Sequence, residues 1–287
     1  MRTTIEIKKE MEFNHGLLGL IEGIKTVAIA QFHALTQRKE RFARFLASLE
    51  SFFEILNIDR MPQPLIGSGF GRKGIIMLTS DMGFMGGLNL KVIEKSLDEA
   101  KEAGGEPPEL IVIGERGAKH LKDLGKTFAF FPAVTTEDQY EQAARLKNYL
   151  MSGIKSGKLG KLVVVYPQPI SFTIQRVAAE ELSCTELFFQ KKKPQVQEKK
   201  KARIILESSI PNIIEYLTAA WLTYKLYEMF EDAKISEFAA RTVHLENSYQ
   251  ELLGKNKKLK LDYFKNQHQL MDKNLRLSCT AKKLKNV

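Results

Sequence analysis

The stretch that decides the fold runs Gly74-Ile75-Ile76-Met77-Leu78-Thr79-Ser80-Asp81-Met82-Gly83-Phe84-Met85-Gly86-Gly87-Leu88-Asn89. A short apolar run ends at Leu78, polar residues and glycines follow, and a helical pattern begins at Leu88, so the stretch predicts a strand, a tight turn and a helix. Glycines in such a turn either bring backbone N–H groups against a phosphate or let the strand pack closely on the next helix. The stretch therefore indicates an α/β fold and leaves both roles open for its glycines.

Short apolar runs and helical patterns alternate on either side of this stretch. The predicted strands cover 75–78, 110–113 and 162–166, and the predicted helices cover 88–103, 117–124 and 137–154. Continuous apolar strands are typical of a sheet covered on both faces, so the alternation predicts a Rossmann-like three-layer domain. Residues 171–184, with Ile170, Phe172 and Ile174 on one face, and residues 185–189 suggest two further strands.

Both ends of the chain carry apolar residues spaced alternately four and three positions apart. The N-terminal series is Leu17, Ile21, Ile24, Ala28, Gln31, Leu35, Arg38, Phe42, Phe45, Leu49, Phe52 and Leu56, and the C-terminal series is Ile235, Phe238, Thr242, Leu245, Tyr249, Leu252, Asn256, Leu259, Tyr263, Asn266, Leu270, Lys273 and Leu277. This is the heptad pattern of a coiled coil, and a compact domain between the two series would return the chain to pair them antiparallel. Gln31 and Arg38 interrupt the first series, and polar members such as Asn256 are expected to fix the register.

These patterns divide the chain into three predicted segments. An N-terminal coiled-coil helix covers 1–60, a Rossmann-like α/β domain covers 65–205 and includes a lysine-rich mobile loop at 190–203, and a C-terminal coiled-coil helix covers 208–287. Pro62 and Pro64 end the first helix, and the sequence Ser208-Ser209-Ile210-Pro211 predicts the start of the last one. Beyond its partner the C-terminal helix would project alone, which is marginal in water, so a surface outside this chain is expected to surround it.

Composition excludes several classes of protein. The apolar and charged fractions, 44% and 27%, are those of a soluble globular protein, and no apolar run approaches the roughly 20 residues of a membrane helix. The first residues lack the apolar core of a secretory signal, which favours a cytosolic mature start. Cys184 and Cys279 match no disulfide or metal spacing. The net charge of +10 is concentrated in lysine clusters, and the run at 191–203 has no interleaved aromatic residue, which argues against a nucleic-acid site there.

No catalytic constellation emerges from the residues. A phosphate-binding P-loop would need a Gly-Lys-Ser/Thr ending, which is absent, so no nucleotide, cofactor or metal is expected. The five histidines fall on helical stretches without metal-ligand spacing. Asp81 ends a strand where α/β enzymes keep catalytic groups, but the simpler interpretation is an Asx-turn that satisfies the backbone N–H groups of the glycine turn.

Three motifs, in order and spacing, resemble the gamma subunit of F-type ATP synthases. Thr79-Ser80-Asp81-Met82-Gly83-Phe84-Met85-Gly86-Gly87-Leu88-Asn89 is similar to that family's Thr-Ser-Asp-Arg-Gly-Leu-Cys-Gly-Gly-Leu-Asn. Val112-Ile113-Gly114-Glu115-Arg116-Gly117 is similar to its Val-Ile-Gly-Ser-Lys-Gly. Ile235-Ser236-Glu237-Phe238-Ala239-Ala240-Arg241-Thr242 resembles its Ala-Ser-Glu-His-Ala-Ala-Arg-Met.

The resemblance implies a non-catalytic rotor shaft. In that family the terminal helices turn inside a ring of alpha and beta catalytic subunits, the α/β domain lies near the epsilon subunit and the membrane c-ring, and rotation couples proton or sodium flow to ATP synthesis or hydrolysis. The implied location is peripheral, on the cytoplasmic face of the inner (cell) membrane or in a mitochondrion or plastid. The residues to which it assigns structural or partner-contact roles are Ile24, Lys25, Asp81, Gly83, Gly86, Gly87, Asn89, Glu237, Arg241, Gln267 and His268.

Departures from the family pattern fall on its partner contacts. The family's basic N-terminal run becomes Gly23 to Leu35, in which only Lys25 keeps its charge, and the Arg-Gln pair that catches a beta-subunit loop is replaced by Gln267-His268. These changes indicate a divergent lineage or a specialised rotary ATPase. Two alternatives stay open: a nucleotide-binding Rossmann enzyme with helical extensions, and a basic scaffold that binds nucleic acid or an anionic membrane through residues 191–203.

Overall fold

The computed structural model describes residues 3–56, 71–102, 106–182 and 209–285. Its helices and strands are α1 (Thr4–Leu56), β1 (Arg72–Leu78), α2 (Leu88–Lys101), β2 (Glu109–Ile113), α3 (Glu115–Asp123), β3 (Ala129–Phe131), α4 (Gln139–Lys155), β4 (Leu159–Pro169), β5 (Gln175–Glu181) and α5 (Ile210–Lys285). Pro62 and Pro64, Cys184, the strand expected at 185–189, the lysine-rich loop at 190–203 and the side chains of residues 39–56 lie outside the described residues. Both predicted segment boundaries fall there too, so the three-segment division remains a prediction.

The described chain divides into two compact units. One combines Met1–Ile29 with Thr242–Val287, and the other covers Ala30–Arg241. The first unit is called the helix pair here and the second the α/β unit. Helices α1 and α5 each contribute one part to both units.

The α/β unit is built on a five-stranded sheet in the order β3-β2-β1-β4-β5. Strand β1 pairs parallel with β2 and β4, β2 pairs parallel with β3, and β5 closes the sheet as an antiparallel edge. Ile75, Ile76 and Met77 are completely buried because helices cover the central strands from both sides. The predicted α/β architecture is confirmed, and its parallel part has the order found in Rossmann folds.

Each face of the sheet packs against its own pair of helices. One face supplies Ile76, Ile111 and Val164 to a core shared with α4 and with Leu222, Leu226 and Phe230 of α5. The other face supplies Ile75, Met77, Val112 and Val163 to a core shared with α2 and α3. The predicted three layers are therefore α2 and α3, the sheet, and α4 with α5.

Two details of the sheet differ from the expectations. Strand β3 was not predicted, because it has only three residues and the central one, Phe130, is half exposed. Ile170, Phe172 and Ile174 do not form a strand face: they occupy the turn between β4 and β5, and the added strand begins at Gln175. Phe172 packs edge-on against Phe32 of α1, with ring centroids 4.9 Å apart, so the alternating apolar residues mark a hairpin tip.

The helix pair is an antiparallel contact between α1 and α5. The side chains of Asn14 and Asn256 are hydrogen-bonded, and so are those of Lys25 and Glu246. Because the residue number rises by 11 on α1 while it falls by 10 on α5, the two helices run in opposite directions. The seam side chains of α1 are buried at seven-residue intervals, at Ile7, Asn14, Ile21 and Ala28. The predicted antiparallel pairing of the terminal helices is confirmed.

Part of α1 passes a simple test for a membrane-spanning helix. Thr4–Arg38 contains a stretch long and apolar enough to cross a bilayer, by length and composition only. This departs from the expectation that no stretch would meet that criterion. The same stretch buries its seam and pairs Asn14 and Lys25 with side chains of α5, which is the pattern of a helix that packs on another helix.

Candidate functional site

The three quoted motifs meet at the carboxyl end of the central strands. The first motif follows β1, the second joins β2 to α3, and the third lies on α5. We call this contact the three-motif junction and define it as 79–89, 114–117 and 237–241. In a Rossmann fold this edge of the sheet, where the strand order reverses between β1 and β4, is where a ligand binds.

Thr79 joins the first two motifs. Its side-chain Oγ1 donates to the carbonyl of Ile113 at 2.7 Å and accepts from the backbone N–H of Gly117 at 3.1 Å. A Cβ on Gly114 would lie 2.4 Å from the Thr79 carbonyl oxygen, and Gly114 has a φ of +98°. Glycine is therefore required at 114 both for its backbone conformation and for this close approach.

Asp81 caps the helix that begins in the second motif. Its Oδ1 accepts a hydrogen bond from the backbone N–H of Glu115 at 2.6 Å, and its own carbonyl accepts one from Arg116 Nε. A carboxylate at a helix N-terminus satisfies an otherwise unpaired donor and interacts favourably with the helix dipole. The expected Asx-turn to the glycine turn is thus wrong: the carboxylate binds a residue 34 positions further along the chain.

The glycine turn itself is closed by protein contacts. The Asn89 side chain accepts from the backbone N–H of Ser80 and donates to the Ser80 hydroxyl, which ties the first turn of α2 to the end of β1. Gly86 and Gly87 have φ values of +58° and +83°, and Gly87 is the residue that precedes α2. A Cβ on Gly83 would make only an ordinary contact with Arg116.

Arg241 of α5 completes the junction. Its guanidinium donates to the carbonyl of Gly83 at 3.4 Å and to Glu237 Oε1 at 2.6 Å. Glu237 also accepts a hydrogen bond from Lys234 at 2.8 Å. Arg241 and Glu237 are both buried, with 3% and 5% of their surface exposed. The buried ion pair with Glu237 fixes the orientation of the Arg241 side chain, so that its guanidinium contacts the glycine turn at Gly83.

The space beneath the turn is too small for a nucleotide. The cavity there has a volume of about 30 Å³ and is lined by side chains that include Ser80, Asn89, Lys234 and Glu237. Ligand pockets usually measure about 300–1,000 Å³. A larger cleft of about 700 Å³ lies at the opposite, amino edge of the sheet, and several of its charged residues pair with one another, as in Arg72 with Glu106 and Lys73 with Glu99. This geometry argues against the nucleotide-binding alternative.

Comparison with known proteins identifies the family. The chain matches the profile of a family described as ATP synthase over residues 3–272. The chain belongs to the ATP synthase gamma chain family. It is 25% identical over 256 residues to the ATP synthase gamma chain of Phocaeicola vulgatus, with 86% of this chain and 87% of that one covered. It is 23% identical over 263 residues to the gamma chain of Syntrophobacter fumaroxidans, with the same coverage.

Solved structures of low sequence identity share the fold. One chain of the mitochondrial ATP synthase of Euglena gracilis, in a structure described as OSCP/F1/c-ring, superposes with a TM-score of 0.67 at 13% identity and covers 98% of this chain. That match includes 93% of the Euglena chain. A chain of the central stalk and c-ring structure from Tetrahymena thermophila gives 0.60 at 16% identity, with 80% and 99% of the two chains covered. These likenesses show the fold. As a member of the ATP synthase gamma chain family, the chain is a non-catalytic subunit associated with a membrane-bound complex.

The remaining candidate residues belong to the helix pair. Ile24 is half-buried, and Lys25 Nζ lies 2.8 Å from Glu246 Oε2 and 5.2 Å from the ring centre of Tyr249. The hydrogen bond that Lys25 donates to Glu246 raises the pKa of Lys25 and lowers the pKa of Glu246. Gln267 donates to the Tyr263 hydroxyl, and His268 is exposed.

One buried cluster was missed from the sequence. Arg38, which interrupts the predicted seam, donates to Glu231 Oε1 at 2.9 Å, to the Tyr227 hydroxyl, to the Gln139 side chain and to the Thr136 carbonyl. Burial and the hydrogen bond to Glu231 raise the pKa of Tyr227 to about 12. We call these residues the Arg38 cluster. It ties α1 to α4 and α5 within the α/β unit, and an arginine in an apolar heptad position was its only sequence signal.

Proposed function

We propose that α1 and α5 form the part of the central stalk that turns inside a ring of alternating alpha and beta subunits. In this proposal the α/β unit contacts the epsilon subunit and the membrane c-ring, and nucleic acid is not a partner. The complex would lie on the cytoplasmic face of the inner (cell) membrane, or in a mitochondrion or plastid, and would couple proton or sodium flow to ATP synthesis or hydrolysis. The contact between antiparallel terminal helices is the observation that carries the proposal.

The exposed apolar end of α5 supports a surrounding protein surface. In the observed register Thr4 of α1 lies opposite position 266 of α5, so residues from Gln267 onward extend past the first residue of α1. Several apolar side chains of this segment are more than half exposed: Leu270, Met271, Leu275 and Leu277. Exposed apolar residues on a single helix favour a protein partner.

The asymmetry of a two-helix rod suits the coupling role. A pair of unlike antiparallel helices has no three-fold symmetry, so three identical neighbours arranged around it meet three different surfaces. A ligand or partner shifts a conformational equilibrium only through a difference in its contacts with the two states. Different contacts at the three positions would therefore hold three catalytic sites in different conformations.

The candidate residues divide into two roles under this proposal. Ile24, Lys25, Gln267 and His268 lie on the helix pair and would face the ring, although Gln267-His268 replaces the family's Arg-Gln pair. Asp81, Gly83, Gly86, Gly87, Asn89, Glu237 and Arg241 lie in the three-motif junction and would hold the glycine turn in the shape that a partner meets. Their bonds to one another support a positioning role.

Two experiments on the native complex test the proposal. Affinity capture of the full chain from its native membranes should recover alpha and beta subunits, identified by mass, whereas the isolated chain should neither hydrolyse ATP nor retain nucleotide. A chain that ends at Asn266 should still assemble but should pump fewer ions per ATP, because the segment proposed to lie in the ring is gone. A chain that ends at Thr280 is the control and should lose less. Full coupling without residues 267–287 would contradict the proposal.

A further inference from the structure

We propose that the Asn14–Asn256 pair fixes the axial register of α1 against α5, and thereby how far α5 extends past the first residue of α1. Asn14 Nδ2 donates to Asn256 Oδ1 at 3.0 Å, and Asn14 is only 8% exposed. Both side chains occupy seam positions of their helices, where apolar residues are the rule. The two amides therefore form a polar layer between the layers of Ile7 with Tyr263 and Ile21 with Tyr249.

The register follows from two contacts. Asn14 lies opposite Asn256 and Lys25 opposite Glu246, so opposed residue numbers sum to about 270. By this rule the buried series Ile7, Asn14, Ile21 and Ala28 faces Tyr263, Asn256, Tyr249 and Thr242, which are also seven residues apart. Asparagine faces asparagine in only one of these four layers.

Sliding α5 by one heptad would preserve the apolar character of the seam but would separate the two amides. Asn14 would then face Tyr249 or Tyr263, and Asn256 would face Ile21 or Ile7. A buried amide left without its partner is destabilising, because its hydrogen bonds to water are not replaced, whereas layers of apolar side chains tolerate the exchange better. The partly exposed Lys25–Glu246 pair contributes little, because solvent screens the attraction between its charges. Of these two contacts of the helix pair, the asparagine pair is therefore the stronger determinant of register.

A slip of one heptad would move the projecting end of α5 by about 10 Å, since each residue adds about 1.5 Å. It would shift Gln267 and His268 relative to the first residue of α1 by two turns. The significance of that shift for the catalytic ring rests on the proposed function. The register itself is a property of this chain alone and is measured without any partner.

The register is measured as a distance between two spin labels on the full-length chain. Gly19→Cys and Lys265→Cys place the labels on exposed positions of the two helices, and a Cβ at Gly19 meets nothing within 4 Å. Cys184→Ser and Cys279→Ser remove the native thiols. About 14 residues, or roughly 21 Å, separate the labels along the axis in the observed register, and a slip changes this by about 10 Å.

The asparagine variants decide the outcome. The parent should give one distance, whereas Asn14→Leu/Asn256→Leu should unfold at a higher temperature and give a second population displaced by several ångströms. Asn14→Ala, which adds no bulk, should also give two populations. The control His15→Leu/Asn247→Leu places the same apolar groups on exposed positions and should keep the single distance, as should Lys25→Ala/Glu246→Ala. A single unchanged distance in both asparagine variants, or two distances in the parent, would overturn the proposal.

Discussion

The helix pair and the α/β unit bury their polar groups in different ways. In the helix pair the Asn14–Asn256 and Lys25–Glu246 contacts each join two side chains, and Lys25 and Glu246 are 20% and 42% exposed. In the α/β unit the Arg38 cluster and the three-motif junction join several elements through side chains that include Glu231, Glu237 and Arg241, all nearly inaccessible. Polar contacts in the helix pair therefore select an alignment, whereas those in the α/β unit hold the elements together.

The largest effect is expected when Arg38 is removed from its buried partner. The Glu231 side chain is only 1% exposed. In Arg38→Met its carboxylate would keep the Tyr227 hydroxyl as the one remaining hydrogen-bond donor among the described contacts. Removing one partner of a fully buried ion pair costs about 3–5 kcal/mol, and the 36% exposure of the Arg38 side chain places this loss at the lower end of that range. The free energy of unfolding, measured by denaturant titration, should fall by an amount in this range.

The matched control removes both charges of that pair. Arg38→Met/Glu231→Leu leaves no buried carboxylate in the Arg38 cluster, so it should be clearly more stable than Arg38→Met alone. Equal losses for the single and the double variant would show that packing, not the charge on Glu231, determines the stability of the Arg38 cluster.

A methyl group at Gly114 should have the next largest effect. The Cβ would lie 2.4 Å from the Thr79 carbonyl oxygen at a φ of +98°, so Gly114→Ala combines overlap with an unfavourable backbone conformation. We expect a loss of about 2–3 kcal/mol.

In the helix pair the opposite effect is expected at Gly19, because this glycine is helical and a Cβ there would have open space around it. Gly19→Ala should gain about 0.5–1 kcal/mol. A loss at both positions would remove this distinction between the two regions.

Sequence patterns predict the parts of the fold that local chemistry determines. The strands at 75–78, 110–113 and 162–166 are found because continuous apolar runs mark strands buried on both faces. The antiparallel terminal helices follow from heptad spacing over many turns. Strand β3 is missed because three residues carry almost no pattern. The motif resemblance, more than composition or spacing, identifies the family.

The contacts of the site are harder to predict, because their partners are distant in the chain. Arg38 and Glu231 are 193 residues apart, and Asp81 and Glu115 are 34 apart. The residues around Asp81 do not indicate whether its carboxylate accepts from backbone N–H groups of its own turn or from the first N–H group of α3. Asn14 lies three residues before Leu17, where the predicted series begins. Its pairing with Asn256 could therefore be found only from the structure of both helices.

A smaller loss is expected when Arg241 is removed from the three-motif junction. Arg241→Met also removes an arginine that pairs with a buried carboxylate, that of Glu237. Glu237 would still form an ion pair with Lys234, at 2.8 Å. The cost should therefore be about 1–2 kcal/mol, below that of Arg38→Met. Hydrogen exchange should show faster opening of the backbone around Gly83, whose carbonyl loses its donor. Arg241→Lys retains the charge and should restore part of the stability. A loss as large as that of Arg38→Met would mean that Lys234 does not compensate.

The smallest effect is expected from the Lys25–Glu246 contact, and it should depend on pH. The Glu246 pKa is lowered below its ordinary 4.5 by the hydrogen bond from Lys25, so this stabilisation is present above pH 4.5 and is lost as the pH falls through the lowered value. The Lys25 pKa is raised above its ordinary 10.5 by the hydrogen bond to Glu246, so its contribution is complete below pH 10.5 and is lost as the pH rises through the raised value.

The difference in thermal midpoint between the native chain and Glu246→Gln should therefore be constant between about pH 5 and 10 and should shrink outside that window. The same change at exposed Glu251, which lies on the same helix, is the control and should leave the midpoint nearly unchanged. Because both partners are partly exposed, added salt should reduce the difference, whereas it should change the effect of Arg38→Met far less. Equal salt sensitivity would contradict the claim that the Lys25–Glu246 contact is exposed to solvent whereas the Arg38 cluster is shielded from it.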